Sequence, residues 1–156
     1  FRPLHEINGA WAWWQNHPGP NGSSKLYQIT HDYLVNTKGL DNIIWVWNVQ
    51  DYDTLPADVG QYTPGPDYFD IAALDVYDTG YTTTNYNAMV GAAAGKPIGV
   101  AECYTMPTAG NMASQPLWTY IAMWPDEITE NGNEQILPAL FADDQIVKLA
   151  QMPGWQ

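Results

Sequence analysis

The sequence predicts an α/β fold of parallel strands alternating with helices, and two observations predict it. Five apolar runs, at residues 1–5, 42–48, 68–77, 97–102 and 117–124, are continuous rather than alternating with polar residues. Continuous runs suit parallel strands covered on both faces. Helical patterns lie between them, and strands alternating with helices indicate βαβ units around a parallel sheet. The 156 residues are enough for one domain with a real core, taken here as 1–156.

The elements follow in order. The run 1–5 opens at Phe1 and reads as the end of a strand. Residues 24–38 place Leu26, Ile29, Tyr33 and Leu34 at helical spacing, with Ser23 or Ser24 as N-cap and Gly39 as the stop. The run 42–48 carries Ile43, Ile44, Trp45, Val46 and Trp47, and the run 68–77 carries Ile71, Ala72, Ala73, Leu74 and Val76. An alanine-rich helix over 84–94 ends at Gly95. After the runs 97–102 and 117–124, a short helix over 143–151 precedes Pro153. Residues 19–24 and 63–67 are loops rich in Pro and Gly.

The strand ends fall near Glu6, Asn48, Tyr77, Glu102 and Trp124. Polar or aromatic residues at C-terminal strand ends are where a (β/α)8 barrel builds its active site. An open, flavodoxin-like sheet places ligands there too. The sequence has no Gly-rich phosphate loop, which argues against a nucleotide-binding version.

Composition narrows the function. Seventeen Asp and Glu stand against five Lys and Arg, a net charge of −12. That balance argues against nucleic acid and anionic membrane surfaces, which need clustered cations. No apolar run approaches the ~20 residues of a membrane span. Cys103 is the only cysteine, and His5, His17 and His31 are widely spaced, so neither a metal nor another cofactor is expected. Eight Trp and ten Tyr against three Phe are unusual. Their rings offer an apolar face and a hydrogen-bonding edge, which match a sugar's C–H face and polar rim. Few Lys with many Asn, Tyr and Gly, and the sequon Asn21-Gly22-Ser23, suit a secreted protein.

Cleaving a glycosidic bond takes two carboxyl groups. Of the five Glu, Glu127, Glu130 and Glu134 share one polar stretch and read as solvated. Glu6 and Glu102 each end an apolar run. Partial desolvation there raises a carboxyl pKa toward the range useful for acid/base work. Either alone reads equally well as a satisfied strand-end residue. Two at corresponding positions of separate βα units point to chemistry.

Arg2-Pro3-Leu4-His5-Glu6-Ile7-Asn8-Gly9 followed by Trp11-Ala12-Trp13-Trp14 resembles the acid/base motif of glycoside hydrolase family 26, usually RPLHEMNG then WFWW. Ile7 and Ala12 are the two departures. Trp45-Val46-Trp47-Asn48 resembles the family's fifth strand and Leu74-Asp75-Val76-Tyr77 its sixth. Residues 95–102 resemble the seventh, where the nucleophile sits, and Met123-Trp124-Pro125 the end of the eighth. The resemblance implies the C-terminal five βα units, strands four to eight, of a TIM (β/α)8 barrel, with the first three strands absent from this chain. A full barrel runs to ~250 residues, so the chain is expected to be part of a larger polypeptide.

The resemblance also implies roles. Glu6 is the acid/base and Glu102 the nucleophile of a retaining β-1,4-mannan hydrolase, whose carboxyls lie ~5–5.5 Å apart. His5 binds sugar hydroxyls, Trp11 walls the site, Tyr77 orients the nucleophile and Trp124 underlies the sugar at the −1 subsite. Asp75 is a polar partner held by Arg2, or simply a buried ion-pair member. Trp13, Trp14, Trp45 and Trp47 are assigned to core or loop packing, and Cys103 to packing. The loop acids Asp51, Asp53 and Asp78 read as solvated turns, with hydrogen bonds to outer sugars as the alternative. The polysaccharide partner could also be β-1,3-xylan or mixed-linkage β-glucan. A non-catalytic glycan-binding or structural module is the reading from another class, and retention of both Glu6 and Glu102 counts against it.

Overall fold

Parallel neighbours need a crossover of a dozen or more residues, and the intervals between the apolar runs provide it. The computed structural model describes residues 1–154. Four of the runs form strands: β1 (Val46–Gln50), β2 (Ile71–Val76), β3 (Ile98–Cys103) and β4 (Trp118–Ile121). They pair in sequence order and all are parallel. The helices are α1 (Ser23–Asp32), α2 (Leu55–Asp58), α3 (Thr83–Ala92), α4 (Ala109–Ser114) and α5 (Asn133–Ala142).

Successive side chains of a strand point to opposite faces, and the two faces here have different chemistry. Trp47, Val49, Ala72, Leu74, Ile98 and Val100 share one face and join Tyr27 of α1 and Met89 of α3 in the buried core. Asn48, Ala73, Asp75 and Glu102 lie on the other. The expectation of apolar cover on both faces therefore holds on the helix side alone. The inner face carries the polar residues.

A register shift sets that face. Leu74 pairs with Val100 and the next residue, Asp75, with Glu102, so Ala101 is an extra residue in β3. In an unbroken strand Val100 and Glu102 would point the same way. The bulge puts Val100 into the core and turns Glu102 to the inner face beside Asp75.

The run 1–5 is not a strand. Pro3 has no N–H to give to a ladder, and Leu4 and Glu6 sit at positive φ, 55° and 49°. The segment still follows β1: Val46 donates its N–H to the Phe1 carbonyl (2.9 Å), and Ile7 donates to that of Asn48 (3.2 Å). It fills the place of a barrel strand without the ladder.

Two helix expectations also change. The helix expected over 143–151 is absent; that stretch holds only the 3-10 turn Leu149–Gln151, and α5 lies upstream. Pro138 inside α5 reads as a breaker in sequence. Tertiary ties outweigh it. Leu140 is buried, and the Asn133 side chain accepts the Met106 N–H (2.7 Å) and donates to the Tyr104 and Glu127 carbonyls (2.8 Å each). At α1, Gly22 is the N-cap, and Ser23 and Ser24 lie inside the helix. Their hydroxyls serve the preceding loop: Ser24 donates to the Gly19 carbonyl and Ser23 accepts from the His17 N–H. A Cβ at Gly22 would collide with the His17 carbonyl. Gly39 does end the α1 region, after a π-helical turn at Tyr33–Thr37, at φ 69°.

Gly99 lies on the inner face of β3, where a Cβ would run into the Tyr120 ring from β4. Gly99→Ala is expected to destabilise the full-length protein by about 1–3 kcal/mol through overpacking. Denaturant unfolding checks this, and an unchanged midpoint would mean that Tyr120 moves aside freely.

Candidate active site

β3 delivers Glu102 to the inner face at its C-terminal end, and both carboxylate oxygens are occupied. Oε1 accepts an Arg2 Nη2–H. Oε2 accepts the Tyr77 hydroxyl (2.6 Å) and the Trp124 Nε1–H (2.9 Å). Burial pushes this carboxyl up. The hydrogen bonds from Tyr77, Arg2 and Trp124, with the Arg2 charge, outweigh it and hold Glu102 below the ordinary carboxylate range. Burial and the bond into Glu102 raise the Tyr77 phenol far above its ordinary value, so Tyr77 remains a donor.

Glu6 moves the other way. Burial raises its carboxyl, the Trp11 hydrogen bond opposes this, and the charge of Glu102 adds to the rise. The Trp11 Nε1–H points at Glu6 Oε2. An indole N–H only donates, so Oε2 is the accepting oxygen and the proton of the neutral acid belongs on Oε1. The nearest oxygens of Glu6, Asp75 and Glu102 all lie within 4.8 Å of one another. Two carboxyls of similar type thus sit side by side with pKa values pushed apart, the arrangement that separates an acid from a nucleophile.

Three clustered carboxylates invite a cation, and one is already present. Arg2 donates from Nη1 to Asp75 Oδ2 (2.6 Å) and from Nη2 to Glu102. The guanidinium already pairs with two of the three carboxyls, which disfavours a second cation among them.

The family model for glycosyl hydrolase family 26 matches residues 1–148. The chain belongs to that family. It is 34% identical to a mannan endo-1,4-β-mannosidase of Thermothelomyces thermophilus, over 100% of this chain and 32% of that protein. It is 36% identical to mannan endo-1,4-β-mannosidase A of a Piromyces species, over 99% of this chain and 25% of that protein. The solved structure of GH26A from a Muricauda species superposes with a TM-score of 0.89 at 34% identity, covering 97% of this chain and 51% of that one. The chain thus spans about a quarter to a half of the length of these three proteins. Its parallel four-stranded sheet with flanking helices is part of the family's (β/α)8 barrel.

Within this family 26 chain, Glu6, Glu102, Tyr77, Trp11 and Trp124 come together as the sequence suggested. Trp124 ties its ring edge to Glu102 and leaves about half its surface exposed. His5 packs against Trp11 and Trp14, with ring centroids 5.2 and 5.8 Å away. Burial and then the Arg2 charge lower its pKa, which favours a neutral imidazole able to donate and accept. Asp75 is in the cluster but has no exposed surface, so it faces Arg2 and Asn48, not the cleft. Trp45 and Trp47 are core, and Cys103 packs near Met106. Trp13 is not core: it is 74% exposed and touches Trp14 edge-on.

Two residues gain roles that sequence reasoning missed. Asp51 is not a solvated turn. It is fully buried and accepts the N–H groups of Tyr77, Asp78, Thr79 and Gly80, fixing the loop that carries Tyr77. Asn48 joins Glu6 to the Arg2–Asp75 pair. Its one sequence signal was an amide at the C-terminal end of an apolar run.

Tyr77→Phe removes a donor from Glu102 and is expected to move that carboxyl up toward its ordinary value. A folded-state pKa held below the unfolded one adds stability that is present above the unfolded value and is lost as pH falls through the folded one. The variant should therefore lose stability at neutral pH, with the difference vanishing in acid. Carboxyl carbon NMR titration with melts at several pH values checks both. A Glu102 titration at its original position would remove Tyr77 from its control.

Proposed function

We propose that this protein is an endo-acting, retaining hydrolase of β-1,4-mannan, with Glu6 as acid/base and Glu102 as nucleophile. The observation that carries the reading is the pair itself. Its carboxyl oxygens lie within 4.8 Å, with Glu6 held toward the neutral acid and Glu102 toward the carboxylate. That spacing favours direct attack, because an inverting pair stands ~6.5–9.5 Å apart to admit a water. The mannan substrate and endo action rest on the names of the relatives.

In the first step the Glu6 proton passes from Oε1 to the glycosidic oxygen as that C–O bond breaks. A Glu102 oxygen bonds to the anomeric carbon and forms a glycosyl ester. Esterification removes the Glu102 charge and with it one cause of the raised Glu6 pKa. Glu6, now a carboxylate, takes a proton from water as the water oxygen attacks the anomeric carbon and the ester C–O bond breaks. Tyr77 and Trp124 keep their bonds to Oε2 and fix the plane of attack. The exposed face of Trp124 provides a platform for the sugar at −1, with His5 for its hydroxyls and Trp11 as the wall beside the leaving group.

We also propose that it works outside the cell, because a mannan chain does not cross a membrane. Immunodetection in culture supernatant tests this, and signal confined to the cells would reject it.

In the full-length protein, Glu102→Ala should reduce galactomannan hydrolysis to background, and Glu6→Ala should lower it roughly 10²–10⁴-fold. Proton NMR of fresh digests should show the β-anomer first. An α-anomer first would reject retention, and an active Glu102→Ala would reject the nucleophile. Galactomannan, β-1,3-xylan and lichenan assayed side by side test the substrate. Release from xylan or lichenan alone would move the specificity within the family, and binding without products would point to a non-catalytic module.

A further inference from the structure

Asn48 sits on the inner face of β1 with 1% of its surface exposed. Each polar atom of its amide is used. Oδ1 accepts the backbone N–H of Glu6 (2.7 Å) and an Arg2 Nη1–H (3.3 Å). Nδ2 donates to Asp75 Oδ1 (2.9 Å) and to the Ala73 carbonyl (3.3 Å). The shorter acceptor contact falls on Glu6, whose φ of 49° is a left-handed conformation that a residue with a Cβ adopts only when its surroundings hold it. The turn is also held by the Gly9 N–H donating to the Glu6 carbonyl (2.7 Å), the Ile7 N–H donating to the Asn48 carbonyl (3.2 Å), the Asn16 N–H donating to the Ile7 carbonyl (3.1 Å) and the Trp14 Nε1–H donating to the His5 carbonyl (2.9 Å). Backbone and side chain of the same asparagine thus hold two consecutive amides, those of Glu6 and Ile7.

We propose that Asn48 is a positioning residue for proton donation: its side chain holds Glu6 in the left-handed turn that aims the carboxyl into the cleft, and registers that turn against the Arg2–Asp75 pair beside the nucleophile. The amide suits this because it is acceptor and donor at once. A carboxylate would lack the donor for Asp75, and an amine would lack the acceptor for Glu6. Without it the Glu6 amide loses its partner, the turn relaxes, and the carboxyl swings away from the leaving oxygen. A misplacement of about 1 Å costs on the order of 10²-fold in rate. Asn48 touches no reacting atom, so its effect passes either through Glu6 or through Arg2 to Glu102, and dependence on the leaving group distinguishes the first route from the second.

This inference rests on the acid/base reading of Glu6, and the test separates the two. A poor leaving group needs the proton, whereas a 2,4-dinitrophenyl leaving group does not. In the full-length protein, Asn48→Ala is expected to slow cleavage of a manno-oligosaccharide roughly 10²-fold. The step that forms the glycosyl ester from a dinitrophenyl β-mannoside, followed as the pre-steady-state burst, should stay within about 3-fold. Asn48→Ser carries the same test if the alanine variant does not fold. Equal slowing of both substrates, or of neither, would overturn the proposal. Glu6→Ala runs beside them. If it shows no dependence on leaving group, the acid/base reading itself fails. If it shows one and the Asn48 variants do not, only the role of Asn48 fails.

Discussion

The Arg2 guanidinium bridges the carboxyl groups of Asp75 and Glu102, and the arrangement of the site depends on that bridge. Asp75 is buried beneath the cleft and Glu102 lines it, and Arg2 holds one with each nitrogen. Burial outweighs the Arg2 charge at Asp75 and pushes its carboxyl up to about 8. At Glu102 the hydrogen bonds from Tyr77, Arg2 and Trp124 outweigh burial and hold the carboxyl below its ordinary range. Glu6 has no such partner. It receives only the Trp11 indole, too weak a donor to offset burial and the nearby negative charge. The contrast between two glutamates is a contrast between one that accepts three hydrogen bonds, one of them from a cation, and one that accepts a single indole N–H.

Two departures from regular backbone aim these groups. The extra residue at Ala101 rotates Glu102 from the helix side of the sheet to the inner face, beside its partner Asp75. The left-handed turn at Glu6 sends its carboxyl across to meet Glu102. Both depart from the conformations that local preference favours, and both are held from outside the element concerned. The ion pair fixes the first, and Asn48 with Gly9 and Ile7 fixes the second. Strain of this kind persists only where the surroundings over-determine it.

The aromatic residues divide along the same lines. Trp45, Trp47, Tyr27 and Phe69 fill the core. Trp11 and Trp124 turn their N–H edges inward to the two carboxyls and leave their faces exposed. A single ring thereby tunes a titrating group and offers a flat apolar surface, which explains the preference for Trp and Tyr over Phe.

The sequence by itself determined the fold class, the four runs that became strands and the pair Glu6 and Glu102. Those features follow from local apolar patterning and from two carboxyls placed where apolar runs end, and each is written in consecutive residues. The tertiary structure alone decided that residues 1–5 lie beside β1 without becoming a strand, and that α5 survives Pro138. It also decided that Asp51 and Asn48 are buried parts of the site. These outcomes turn on contacts between residues 26 to 46 positions apart. A local pattern cannot show which amide will meet which carboxylate until β1, β2 and β3 bring them onto one face.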